Sequence, residues 1–180
     1  MNGIVRLKHI VDYKKVRYYS VVLDQDDEPI DTAKSLFDIF IEQQTLENQG
    51  KLNHILAWLE EIGIKYGAQE NLFRPEQRDG EALGLPPKNF TKPPFYIEDG
   101  DTIPNNLRLY CHRLNSNVVI LFNGAIKTEK NAQECPNVKE HFIQANNLTN
   151  ILDIAIKDQD IRWIDDFTDI DYDDDLVLNY

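Results

Sequence analysis

The sequence is poor in cysteine and has no long apolar run, and each of these absences argues against a class of protein. Its two cysteines, Cys111 and Cys135, are too few for a disulfide framework, so we expect two reduced structural thiols. No segment approaches the roughly 18 to 20 consecutive apolar residues that a membrane-spanning helix needs. The first residues lack the continuous apolar stretch of a secretory signal. These absences predict a cytoplasmic protein without membrane contact.

The patterns of metal and nucleotide sites are also missing from the sequence. The four histidines and two cysteines do not have metal-ligand spacing. There is no glycine-rich phosphate loop, serine nucleophile elbow or HExxH motif. Asp169, Asp171 and Asp173 imitate the start of a calcium loop, but Asp174 and Tyr180 stand where that loop needs glycine and glutamate. We therefore predict no metal site and no cofactor.

Acidic residues are concentrated at the end of the chain. The net charge is −12, and residues 158–180 contribute −8 of it through nine aspartates and one arginine. We predict a single domain over residues 1–157 and an acidic C-terminal tail over 158–180. The tail would be solvated or bind a partner, or it would cover a basic surface as a polyanion mimic. Such an acidic chain does not attract nucleic acid over its whole surface, and no DNA partner is expected.

Apolar periodicity predicts the first half of the fold. Residues 16–23 are rich in β-branched and aromatic side chains and predict a strand. Apolar residues then recur with helical spacing over 33–41 and again over 52–62, which predicts an antiparallel helical pair. Residues 63–104 hold five of the eight glycines and six of the eight prolines. This Pro/Gly-rich segment is predicted to be a long insertion with little regular structure.

The second half of the chain predicts a hairpin and a helix. Residues 107–114 and 118–122 are two strands joined by a short polar turn. Leu107, Leu109 and Cys111 would share one face of the first strand, and Arg108, Tyr110 and His112 the other. A helix should follow Pro136, and a short last strand is predicted over 161–164. The fold class is α+β: a small, largely antiparallel sheet packed with a helical hairpin and a C-terminal helix.

Eight apolar residues on these periodic faces are predicted to form the core. They are Leu36, Phe40, Leu56, Leu59, Leu109, Ile120, Phe142 and Leu152.

Basic and aromatic residues gather in the hairpin and in the segment that follows it. They are Arg108, Tyr110, His112, Arg113, Lys127 and Lys130. Residues 105–141 carry five Lys or Arg against three Glu, so this region is locally positive. Such side chains can hold phosphates, stack on bases or move protons. The alternative is a solvated sheet face with ordinary cross-strand pairs, which spacing alone favours.

The same residues carry a resemblance to a known family. Leu-Arg-Leu-Tyr at 107–110, the apolar run 118–122, Gly124, and Lys127-Thr128-Glu129-Lys130 together resemble the RelE/HigB branch of the RelE/ParE toxin superfamily. The resemblance covers residues 16–62 loosely and 105–152 better, while 63–104 and 158–180 have no counterpart. The chain departs from the family in its acidity, in the single lysine at 127, and in Ala125 where an aromatic residue often follows the glycine.

The resemblance implies a RelE-like fold and ribosome-associated cleavage of mRNA without a metal. Arg108 would bind the scissile phosphate and Lys127 would stabilise charge. Tyr110 or His112 would transfer a proton to or from the ribose 2′-hydroxyl. Arg113 and Lys130 would contact the RNA, and an antitoxin protein, the ribosome and mRNA would be the partners.

A second hypothesis is a non-catalytic protein–protein interaction module that keeps the fold. It would use the hairpin, the Pro/Gly-rich segment or the tail to hold its partner. The two hypotheses differ in what they require of the hairpin. An enzyme needs Arg108, Tyr110 and Lys127 exposed and convergent in one concavity, whereas an Arg108 engaged by a structural carboxylate favours the interaction module.

Overall fold

The computed structural model describes residues 3–24, 28–76, 82–88, 91–132 and 134–180. The strands are β1 (Ile4–Asp12), β2 (Arg17–Asp24), β3 (Arg74–Pro75), β4 (Leu83–Leu85), β5 (Ile97–Glu98), β6 (Asp101–Thr102), β7 (Leu107–Arg113), β8 (Val118–Ile126), β9 (Ile161–Ile164), β10 (Asp169–Tyr172) and β11 (Leu178–Asn179). The helices are α1 (Leu36–Glu47), α2 (Gln49–Glu61) and α3 (Lys139–Lys157).

Seven strands form the main sheet, in the order β11-β1-β2-β8-β7-β4-β3. Strands β2 and β8 pair in parallel, and the other neighbouring strands described in this sheet are antiparallel. The predicted α+β class is confirmed, but the sheet is larger than the small sheet that the sequence predicted.

The additional strands lie at the two edges of the sheet. Strand β1 carries an alternating pattern in which Val5 and Leu7 are buried, as expected of a strand with one face on the core. Strand β11 pairs with β1 through Ile4 opposite Asn179. Strands β3 and β4 come from the Pro/Gly-rich segment, where short pieces of two and three residues give no periodic signal.

Local sequence explains where α1 begins. Ser35 accepts a hydrogen bond from the backbone N–H of Asp38, and the Asp38 carboxylate accepts one from the Ser35 backbone in return. This capping box satisfies two backbone donors that would otherwise lack partners at the start of the helix. A single residue, Asn48, separates α1 from α2, and α2 continues as a π-helical turn, Ile62–Tyr66.

The helices lie on opposite faces of the sheet. Leu107, Leu109 and Cys111 face the cluster that contains α1 and α2, as predicted. Tyr110 and Phe122 face the opposite cluster, which contains α3 and the β9–β10 ribbon. Of the eight predicted core residues seven are buried and one is partly buried, which confirms the helical and strand faces. The partly buried residue is Leu56.

Residues 158–180, predicted as an acidic tail, pack against the rest of the fold. They form β9, β10 and β11, and the predicted strand over 161–164 is present as β9. The Tyr19 hydroxyl donates a hydrogen bond of 2.5 Å to Oδ1 of Asp169. The Tyr180 N–H donates one of 2.9 Å to the carbonyl of Gly3. Within the described ranges, no helix has the length and apolar content to cross a membrane.

Candidate functional site at Glu76

The hairpin of β7 and β8 positions Arg108 through an unusually close approach of two backbones. Leu109 pairs with Gly124 and Arg108 with Ala125, and the register shifts by one residue before Cys111. A Cβ atom at Gly124 would overlap the carbonyl group of Arg108. Glycine therefore lets the strands meet at the point where the arginine side chain leaves the sheet.

Arg108 and Lys127 converge on one carboxylate. Nε of Arg108 donates to Oε1 of Glu76 over 3.1 Å, and Nζ of Lys127 donates to Oε2 of the same side chain. The Glu76 side chain is 1% exposed, and those of Arg108 and Lys127 are 10% and 11% exposed. Both cations are thus held in a buried ion cluster, where unpaired charge is costly.

Arg74 lies close to this cluster, and no carboxylate in the described ranges forms an ion pair with it. Its Nε donates to the Pro86 carbonyl over 3.0 Å, and its Nη2 lies 3.3 Å from the Pro87 carbonyl. Burial, together with the nearby charge of Arg108, lowers the pKa of Arg74 to about 10. Burial also lowers the pKa of Arg108, although Glu76 opposes that shift.

Tyr110 points into the core beside the cluster. Its ring packs against Phe142 with a centroid separation of 5.4 Å. The hydroxyl is buried and has no hydrogen-bond partner among the described residues. Burial, and then the charge of Glu76, raise the pKa of Tyr110 well above its ordinary value. A phenol in this environment stays protonated at neutral pH.

The other predicted site residues are engaged elsewhere. Nε2 of His112 lies 2.7 Å from Oδ1 of Asp153 on α3. Arg113 donates to the carbonyl of Ala68, and Lys130 is exposed in the loop after β8. Of the six predicted residues, the structure therefore brings Arg108, Tyr110 and Lys127 together, while His112 and Arg113 have separate partners.

A cavity of about 330 Å³ opens beside Arg108. It is lined by His54, Trp58, Arg74, Pro86, Pro87, Lys88, Pro94, Phe95, Tyr96, Thr102, Ile103, Pro104, Asn105 and Arg108. The imidazole of His54 is held on both sides, since Nε2 lies 3.1 Å from the Pro94 carbonyl and Nδ1 lies 3.0 Å from Nδ2 of Asn105. Burial lowers the pKa of His54. Neutral and doubly hydrogen-bonded, it positions the Pro/Gly-rich segment.

The pKa values of the two buried cysteines are shifted in opposite directions. Burial raises the pKa of Cys111 well above its ordinary value. Burial acts in the same direction at Cys135, but hydrogen bonds from Thr128 and nearby backbone N–H groups outweigh it and lower the pKa to about 7. The Thr128 N–H lies 3.3 Å from Sγ of Cys135. Among the described residues, no group of three or more His, Cys, Asp and Glu side chains is arranged to hold a metal ion.

Glu76 and Arg74 are the site residues that sequence reasoning missed. They lie in the Pro/Gly-rich segment, which has no periodic pattern, and reach the hairpin because β3 and β4 extend the sheet beside β7. No family model, curated protein or solved structure matches this chain. The site is therefore interpreted from its own geometry.

Proposed function

We propose that this protein is a non-catalytic protein–protein interaction module. The observation that carries the proposal is the position of Glu76, whose carboxylate engages both Arg108 and Lys127. These are the two cations that phosphate binding and charge stabilisation would require. The arrangement meets the condition that favours an interaction module, namely an Arg108 engaged by a structural carboxylate.

The energetics of the cluster support the same conclusion. An RNA phosphate that took over Arg108 and Lys127 would leave the Glu76 carboxylate buried without a partner. Breaking a buried ion pair in this way costs about 3–5 kcal/mol. The Tyr110 hydroxyl, which would transfer a proton, is inaccessible in the core, and its raised pKa makes it a poor acid at neutral pH.

A contact surface for a partner lies on the Pro/Gly-rich segment. Phe95 and Ile97 are 47% and 61% exposed. Ile97 begins the short β5–β6 ribbon, and Phe95 lines the cavity beside Arg108. Exposed aromatic and aliphatic residues around a concavity are typical of protein-binding surfaces.

Two measurements test this proposal together. Expression of the soluble protein should neither arrest growth nor cleave RNA, with or without ribosomes. Proteins cross-linked to the chain in its native host should be lost from the Phe95→Asp/Ile97→Asp variant. The same proteins should still be cross-linked to the Leu46→Asp variant, a control at an exposed apolar residue on α1. Growth arrest that Arg108→Ala relieves would contradict the proposal.

The endoribonuclease implied by the family resemblance is a second proposal. The observation in its favour is that Arg108 and Lys127 do converge, although on the Glu76 carboxylate, and that Tyr110 lies beside them. If Glu76 suppresses an RNA-cleaving site, Glu76→Gln should cleave ribosome-bound mRNA, and adding Arg108→Ala to that variant should abolish cleavage. A folded Glu76→Gln protein that leaves RNA intact would remove the support for this second proposal.

A further inference from the structure

Positive charge is in excess in the cluster beside the cavity. Arg74, Arg108 and Lys127 lie around Glu76, and the described part of the chain supplies no second carboxylate to the two arginines. Among the described residues, the cluster therefore contains three positive charges and one negative charge, a surplus of two. Buried charge of one sign is unfavourable unless a counter-charge is bound.

The two guanidinium groups are held in place before any ligand arrives. Arg74 donates to the carbonyls of Pro86 and Pro87. Nη1 of Arg108 donates to the Asn105 carbonyl over 2.7 Å and lies 3.1 Å from the Leu107 carbonyl. The carbonyls orient both groups, and of the two only Arg108 also pairs with a described carboxylate, through its Nε and Oε1 of Glu76. A ligand would therefore lose little affinity to the ordering of arginine side chains.

The other walls of the cavity are mostly apolar and flat. Trp58 and Tyr96 contribute buried rings, and proline rings complete much of the surface. Lys88 is exposed at this cavity and adds another positive charge. The exposed carboxylate of Glu98 lies close to Tyr96. The cavity thus combines a cationic end with walls that suit a planar, apolar group.

We propose that this cavity binds a phosphate monoester carried on an aromatic body. A phosphate monoester has a charge of about −1.5 to −2 at pH 7 and three acceptor oxygens, which match the surplus charge and the two guanidinium groups. A carboxylate would neutralise half of the surplus. In the interaction module proposed above, on which this step rests, the natural ligand is a phosphorylated aromatic side chain of the partner.

The binding test uses one tryptophan as a reporter. The chain has two tryptophans, so Trp163→Phe leaves Trp58 in the cavity wall. Phenyl phosphate should change Trp58 fluorescence in a saturable way and bind at least about tenfold more tightly than benzoate or inorganic phosphate. Equal affinity for benzoate and phenyl phosphate would overturn the charge match. Equal affinity for inorganic phosphate would overturn the aromatic requirement.

Variants of Arg74 test whether phenyl phosphate binds in this cavity. Arg74→Met should weaken phenyl phosphate binding about tenfold or more, and Arg74→Lys should weaken it less, because the charge is kept and the planar fork is lost. Lys34→Ala is the control. It removes an exposed lysine that pairs with Glu42 and does not line the cavity, so it should leave binding unchanged. Equal binding by a folded Arg74→Met protein would overturn the assignment.

A last comparison identifies the source of the phosphate. A phosphotyrosyl peptide should compete with phenyl phosphate, and its unphosphorylated form should not. Stronger competition by a short RNA than by the phosphopeptide would overturn the proposed ligand class. Failure of all phosphate probes in a chain that still cross-links its partner through Phe95 and Ile97 would refute the phosphate site and leave the interaction module intact.

Discussion

Each end of the β7–β8 hairpin pairs basic side chains with a carboxylate, but the surroundings differ. At the inner end, Arg108 and Lys127 share Glu76, and all three side chains are nearly buried. At the outer end, the His112 side chain is 12% exposed and lies against Asp153, whose side chain is 51% exposed. All members of the inner cluster lie in the interior, whereas the carboxylate of the outer pair lies at the surface.

The contribution of a charged residue on a strand to stability therefore depends on its burial. In a poorly solvated site the loss of one partner leaves a charge that water cannot reach, at a cost of about 3–5 kcal/mol. At an exposed site water replaces the partner, and the pair contributes about 0–1 kcal/mol.

The largest loss of stability is expected from Gly124→Ala. The added methyl group would overlap the Arg108 carbonyl, which is backbone and cannot move aside without separating β7 from β8. We expect the free energy of unfolding to fall by more than about 3 kcal/mol, or soluble protein to be lost. Gly50→Ala is the matched control because nothing lies near its added Cβ in α2. It should stabilise by about 0.5–1 kcal/mol in urea unfolding.

The next largest loss of stability is expected at Glu76, and it contrasts the two ends of the hairpin. Glu76→Ala should lower the free energy of unfolding by about 3–5 kcal/mol, because Arg108 and Lys127 lose their shared buried carboxylate. Asp153→Ala should cost no more than about 1 kcal/mol, because the Asp153 side chain is half exposed and water already solvates its carboxylate. Both values follow from urea midpoints at constant m-value. Equal losses for the two variants would show that burial does not separate the two ends.

A smaller effect is expected where a buried hydroxyl loses its partner. The Tyr18 hydroxyl donates to the Leu59 carbonyl over 2.8 Å, so Tyr18→Phe should cost about 1–2 kcal/mol. Tyr110→Phe removes a hydroxyl that has no partner in the described part of the chain. It should be neutral or stabilise by up to about 1 kcal/mol. Thermal unfolding of both variants measures the difference. A destabilised Tyr110→Phe would indicate that the inner cluster depends on this hydroxyl.

Most regular elements were predictable where the pattern of apolar residues is local, although the alternating strand β1 was missed. The two helices of the first half, the β7–β8 hairpin, the faces of β7 and the helix after Pro136 all follow from spacing along the chain. The edge strands were not predicted, because β3, β4 and β11 are two or three residues long. Short pieces of this kind become strands by pairing with a neighbour, and pairing has no local signature.

By itself, the sequence determined which hairpin residues could form a charged site. It placed Arg108 and Tyr110 on one face of β7, and it placed Lys127 just beyond the end of β8. Only the tertiary structure decided that the site is buried and already holds a carboxylate. Glu76 lies 32 residues from Arg108 and 51 from Lys127 along the chain. Contacts over such separations depend on how the sheet is assembled, and the periodicity of a single segment does not reveal them.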